Sequence, residues 1–286
     1  MAAVAVAGAA TAQVSVTGAF GFGWEAQSPA LGGSDTGIKV TDGNVKFSAS
    51  EDLGGGMSVL TAMDIQSRGR DTDILGRDAS ITLVTGFGGF TLGAVDASNG
   101  IIGLGGAGAP VIGMDGSVLS GGVNVDIAKY SLPLGNGIGI SVARTDAANG
   151  LKGTNAGNTY GATYSMNAIG AAVDYTDTVL AKRTRVSGSY DLGVAKLGAG
   201  YQTLKGTGAT STNKQTVLGV SAPYGAFTFG LNYATQKQLT TAVKGIDLGV
   251  SYALSKRTNV YAQMQSVTVG DLAAAKTTRV KMVTSF

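Results

Sequence analysis

The stretch Arg279-Val280-Lys281-Met282-Val283-Thr284-Ser285-Phe286 decides how this chain is read. Val280, Met282, Thr284 and Phe286 fall on one face of an extended segment; Arg279, Lys281, Val283 and Ser285 fall on the other. Successive side chains of a strand point to opposite faces, so this is a strand with one lipophilic and one polar side. A soluble sheet seldom sets an aromatic residue directly before the terminal carboxylate. The closing strand of a transmembrane β-barrel does, because it must pair with the first strand and leave no unpaired backbone group in hydrocarbon.

The same period of two runs back through the chain. Val14, Val16, Phe20, Phe22 and Trp24 oppose Ser15, Thr17, Gly21, Gly23 and Glu25. Met57, Val59, Met63 and Ile65 oppose Ser58, Asp64, Gln66 and Arg68. Phe227, Phe229, Leu231 and Tyr233 oppose Thr228, Gly230 and Asn232. Composition agrees: 44% of the 286 residues are hydrophobic and 14% charged, yet the apolar residues form no long run. That charge content is low for a soluble domain, and no stretch of ~18 apolar residues is present to span a bilayer as a helix.

Between the alternating segments, short turns take turns with longer polar links. Turns fall at 53–56, 86–89, 133–137, 167–168, 192–193, 223–225 and 254–256; links fall near 27–42, 69–76, 97–120, 147–157, 178–182, 205–213, 237–243 and 269–276. Seven turns and eight links join sixteen strands. The expectation is therefore an all-β fold, a 16-stranded antiparallel transmembrane barrel over residues 13–286. From Gln13 onward, 274 residues give about 17 per strand and link, enough for a span of ~10 residues. Turns would lie in the periplasm and links outside. Aromatic residues gather near strand ends on the apolar face: Phe90, Tyr190, Phe227, Tyr252 and Phe286 at the turn ends; Trp24, Tyr160, Tyr175 and Tyr233 at the link ends. Two such rows make interfacial girdles. Residues 1–12, with Ala10-Thr11-Ala12, read as a signal-peptide remnant or a disordered leader.

The chain is identified as a member of a family by several local matches. Ser48-Ala49-Ser50-Glu51-Asp52-Leu53-Gly54-Gly55-Gly56, Gly76-Arg77-Asp78-Ala79 and Gly88-Gly89-Phe90-Thr91-Leu92-Gly93 resemble the general porins of Gram-negative bacteria, the trimeric proteobacterial branch. The best match is Tyr252-Ala253-Leu254-Ser255-Lys256-Arg257-Thr258-Asn259-Val260-Tyr261, and Phe286 completes the pattern. The resemblance implies a homotrimer in outer-membrane lipid, a water-filled passage for small hydrophilic solutes and ions, and a third loop folded into the lumen as a constriction. The longest link, 97–120, occupies that loop's place between the fifth and sixth strands. It departs from the family in holding one acid, Asp115, and no Lys or Arg.

Chemistry is not indicated. The chain has no His and no Cys, which removes a Ser–His dyad, imidazole ligands and thiolate metal sites. The Asp71-Thr72-Asp73 pair lacks the ligand count that Ca²⁺ needs. The Gly103–Gly108 run has no following Lys for a phosphate loop. No cofactor is expected, and scattered Lys and Arg give no nucleic-acid surface.

Parity assigns the lumen wall. Its basic residues are Lys46, Arg68, Arg183, Arg185, Lys196, Arg279 and Lys281; its acids are Glu25, Asp64, Asp78, Asp126, Asp174, Asp191 and Asp247. Lys46 and Arg68 belong to the second and third strands, Arg279 and Lys281 to the sixteenth, so barrel closure gathers them around the first. With Asp115 alone on the loop, a weak anion preference follows. Cross-strand pairing with Glu25, Asp64 or Asp78 would instead make these charges structural. Lys129 and Arg144 take lipid-face parity, near strand ends where snorkelling relieves the cost. Two other readings remain: a structural barrel nearly plugged by its apolar third loop, which would not conduct, and a soluble all-β surface protein, which would extract without detergent.

Overall fold

A computed structural model describes residues 13–69, 73–96, 99–120, 122, 124–147, 156–238 and 241–286. The leader at 1–12 and the Asp71-Thr72 part of the acidic pair lie outside these. Sixteen strands form one closed antiparallel barrel. They are β1 (Gln13–Ser28), β2 (Asp35–Gly54), β3 (Met57–Gln66), β4 (Leu75–Thr85), β5 (Gly88–Asp96), β6 (Asn124–Gly135), β7 (Ile138–Ala147) and β8 (Gly157–Met166). The second half comprises β9 (Ile169–Thr178), β10 (Ala181–Asp191), β11 (Lys196–Gly206), β12 (Asn213–Tyr224), β13 (Phe227–Gln238), β14 (Thr241–Ala253), β15 (Thr258–Val269) and β16 (Ala275–Ser285). One short helix, α1 (Ile101–Gly105), lies in the long link after β5.

The opening stretch closes the barrel as its pattern requires. β16 pairs with β1 from Ala19–Ser285 to Ser28–Lys276. Gly18 and Phe286 exchange both backbone hydrogen bonds at 3.1 Å, and the Phe286 ring lies over Gly18, where a Cβ would strike it. Each expected turn is found between strands. At one of them Asn136 and Gly137 both adopt positive φ, 49° and 76°, the geometry that matches a tight hairpin to strand twist.

The faces are sorted as a membrane requires. Phe20, Phe229 and Leu248 are 52%, 50% and 39% exposed on the outside of the barrel. In water such a continuous apolar band would be an unpartnered surface far beyond that of a soluble monomer. In acyl chains it is the solvent-facing side, which excludes the soluble reading. The buried apolar cluster is instead inside the barrel. Ile101, Met114, Val118 and Leu119 of the long link pack on Val217 of β12 and Ala234 of β13.

β2 is longer than the alternation indicates. Residues 35–42, expected in a link, pair with β1. A register shift between Gly21 and Phe22 leaves Thr41 as an extra residue. Such a bulge exchanges the two faces beyond it. Ile38 thus points outward, 71% exposed, and Lys39 points into the lumen opposite Gly23.

Candidate functional site: the lumen and its inward loop

The long link follows the inner wall from β10 to β15, and the wall is shaped to receive it. Gly198 of β11, Gly219 of β12, Gly230 of β13 and Gly249 of β14 face inward beneath the loop backbone. A Cβ at Gly198 would overlap the Leu104 carbonyl oxygen, and one at Gly249 the Pro110 carbonyl oxygen. Glycine lets two backbones approach where any side chain would hold them apart.

Polar side chains of the same wall satisfy the loop. Asp247 of β14, wholly buried, accepts from Ile112 N at 3.2 Å and from Gly113 N at 2.6 Å. Gln265 Nε2 donates to Gly113 O at 2.5 Å and Gln263 Nε2 to Pro110 O at 3.1 Å. At the loop's root Asn99 Nδ2 donates to Gln215 Oε1 at 2.9 Å, and Gln215 also donates to the Ser120 hydroxyl. Buried amide and carboxylate groups of this kind hold position because leaving one unpaired costs ~1–3 kcal/mol. The loop is thereby fixed against one half of the wall.

The other half stays bare. Ser15, Ser48, Ser50, Leu60, Ser80 and Thr82 border a cavity of about 500 Å³ on β1–β4. Further round, Thr91, Ser141, Thr159 and Thr176 share the inward face. A separate apolar groove of about 660 Å³, over Phe229, Leu248 and Met264, lies on the lipid side and is no part of the passage.

Most inward charges are paired across strands. Glu25, 4% exposed, takes Arg279 at 2.5 Å and also Lys39. Lys281 donates to Asp42 Oδ2 at 2.8 Å and lies 5.4 Å from the centre of the Tyr261 ring, within cation–π range. Arg185 Nε reaches both oxygens of Asp174, at 2.9 and 2.8 Å. Lys46 is 3.9 Å from Asp64. Lys39 and Asp42, at the heart of this seam, were missed in the sequence because they sit in the segment taken for a link. The signal that finds them is the bulge itself, visible only once Thr41 is seen to break the period.

Other expected residues are placed as follows. Asp78 is inward on β4, in step with Ser80 and Thr82. Lys196 and Asp191 face each other in register across β10 and β11. Asp115 is exposed on the loop, where its Oδ2 accepts from Asn99 N at 3.1 Å. Arg183 is inward on β10 and donates to Thr176 Oγ1 at 3.3 Å.

Three assignments need correction. Arg68 is beyond the end of β3, exposed in the link that follows rather than on the strand. Asp126 is opposite Ala94 and Asp146, in step with outward Leu92 and Val142, so it faces outward near the link end of β6. Lys129 is opposite Thr91, whose hydroxyl bonds to that of Thr82, so it faces the lumen and not lipid. The cause is local: Val125 and Ile127 share parity with Lys129, while Ala128, Tyr130 and Leu132 share parity with Asp126. Apolar residues stand on both faces of β6, and only the register decides. Arg144 keeps its outward parity near a strand end, with Nη1 3.4 Å from Asn158 Oδ1.

Comparison with known proteins agrees with this architecture. The family model for Gram-negative porins matches residues 1–272. An anion-selective porin from Comamonas acidovorans superposes with a TM-score of 0.77 at 19% identity, covering 96% of this chain and 100% of that one. OmpF of Salmonella typhi, in complex with daunomycin, gives 0.78 at 12% identity, covering 96% and 97%. OmpT of Vibrio cholerae in its trimer form gives 0.75 at 13% identity, covering 96% and 99%. No curated protein matches the sequence significantly. With a closed sixteen-stranded barrel, an inward third loop and a family match over nearly the whole sequence, this chain belongs to the Gram-negative porins, the diffusion channels of the outer membrane.

Proposed function

We propose that the protein is a general-diffusion porin, a homotrimer that passes small hydrophilic solutes and ions with a weak preference for anions, and that it carries out no chemistry. The observation that carries this reading is the asymmetry of the lumen: a fixed loop on one half of the wall and a bare, hydroxyl-lined half opposite. Passive permeation asks only for a wetted constriction and a charge pattern that sets the barrier for ions.

The residues proposed to line the passage are Asp115 on the loop and Lys46, Asp64, Asp78, Arg183, Arg185, Arg279 and Lys281 on the wall, with Arg68 at the outer mouth. The preference is weak because Lys46, Arg185, Arg279 and Lys281 each stand beside a carboxylate. It favours anions because the loop brings only Asp115 and the formal net charge is +3. The anion-selective relative of similar fold and the trimer form of OmpT favour the same reading. The test is a reversal potential in a KCl gradient across a planar bilayer: a small potential of anionic sign is expected, and marked cation preference overturns the assignment. Unheated electrophoresis should show a species about three times the mass of the boiled chain.

A further inference from the structure

We propose that anions cross this porin along a track on the inner wall from β4, on the bare side, to β10, at the loop's edge, with Lys129 and Arg183 as the two charges that set its ion preference. The proposal deepens the porin reading and rests on it. The register aligns Thr82, Thr91, Lys129, Thr159, Thr176 and Arg183 in one continuous inward row, interrupted only by Ala143. The row runs perpendicular to the strands. Because strands of such a barrel tilt by ~35–45°, it climbs along the barrel axis as it turns. Thr82 is close to the periplasmic end of β4, and Arg183 is the third residue from the outer end of β10. The row therefore climbs from the periplasmic half of the wall to its outer half.

Its chemistry suits an anion losing part of its water. Hydroxyl pairs Thr82–Thr91 and Thr159–Thr176 are each 2.9 Å apart; the first leads up to Lys129 and the second stands between Lys129 and Arg183. Lys129 has no ion pair among the described residues, unlike Lys39, Lys46, Arg279 and Lys281. Arg183 spends one N–H on Thr176, and its buried Nε has no partner. The nearby carboxylate, Asp174, is occupied by Arg185. Lys129 and Arg183 are four strands apart, about 19 Å at ~4.8 Å per strand. That exceeds the ~8 Å screening length of physiological salt, so two anions can be held at once without strong mutual repulsion. Several weak sites in sequence are what conduction needs.

The test uses the reconstituted full-length porin in a KCl gradient. Neutralising Lys129→Gln or Arg183→Gln should lower the chloride-to-potassium permeability ratio about fivefold each, the weight of one unit charge acting across ~4 Å of water. Lys182→Gln, which removes an outward charge paired with Asp177, should leave the ratio unchanged. A second measurement keeps the native charges. The chain has no Cys, so Thr159→Cys offers a single thiol between the two cations. A negatively charged methanethiosulfonate should modify it faster than a positively charged one. If the wild type does not conduct, the porin reading itself fails. If it conducts and neither neutralisation moves the ratio, or the cationic reagent is the faster, the track alone is overturned.

Discussion

From β10 to β15 the inward positions under the loop are Gly198, Gly219, Gly230 and Gly249, flanked by Gln215, Asp247, Gln263 and Gln265. From β5 to β9 they are Thr91, Lys129, Ser141, Thr159 and Thr176. The outward positions of the two regions are alike, mostly apolar and exposed, with charges such as Asp126 and Arg144 near strand ends. The difference shows how one strand repeat serves two ends. Where the wall must hold a loop, side chains vanish to admit its backbone, and amides and a buried carboxylate take its hydrogen bonds. Where the wall must meet water, short hydroxyls and a few cations keep it wet without filling it. The seam of β16, β1 and β2 stands between these regions and is closed by charge: Glu25, Lys39 and Arg279 beside Asp42 and Lys281.

The largest effect should come from removing the contrast. Replacing residues 101–119 by a short Gly-Ser link exposes the Gly-lined half of the wall, and single-channel conductance should rise severalfold. Next is steric displacement. Gly249→Val puts a side chain where the Pro110 carbonyl lies. Overpacking of this kind costs ~1–3 kcal/mol, and the loop should loosen, seen as open-channel noise and protease cleavage near Pro110. Gly103→Ala, which meets nothing within 4 Å, should behave as wild type in the same assays.

A smaller effect is expected at the seam. Glu25→Gln leaves Arg279 and Lys39 without their anion. Breaking a fully buried pair costs ~3–5 kcal/mol; Lys39 is 46% exposed, so the loss here should fall below that range. The urea midpoint of the folded barrel should drop, and the reversal potential should move toward stronger anion preference. Least affected should be Lys46→Gln. Its partner is 3.9 Å away and both are partly exposed, a pair worth ~0–1 kcal/mol, so the urea midpoint should barely move.

The barrel was legible in the sequence because its constraint is global. Every strand has to show lipid one face, so alternation recurs from Val14 to Phe286, and every turn but Leu254-Ser255-Lys256 announces itself by Gly, Asn or Pro. The loop's location was legible by length. Its seat was not, because Gly198 and Gly249 read as gaps in an alternating strand and acquire meaning only when Leu104 and Pro110 lie on them. Asp247 was legible as an inward acid but not as a loop anchor; its partners, Ile112 and Gly113, are 135 and 134 residues earlier. Lys39, Asp126 and Lys129 were obscured for a local reason. One bulge at Thr41 and apolar residues on both faces of β6 defeat a rule that counts by twos.

The most direct test of the account is a pair of adjacent single-cysteine variants on β7, read in a lipid bilayer. Ser141 faces the lumen and Val142 the lipid. A bulky, water-soluble, charged methanethiosulfonate should modify Ser141→Cys and reduce its single-channel current, while Val142→Cys stays unmodified at full current. Modification of Val142→Cys with Ser141→Cys protected would contradict a wetted interior inside a lipid-facing wall.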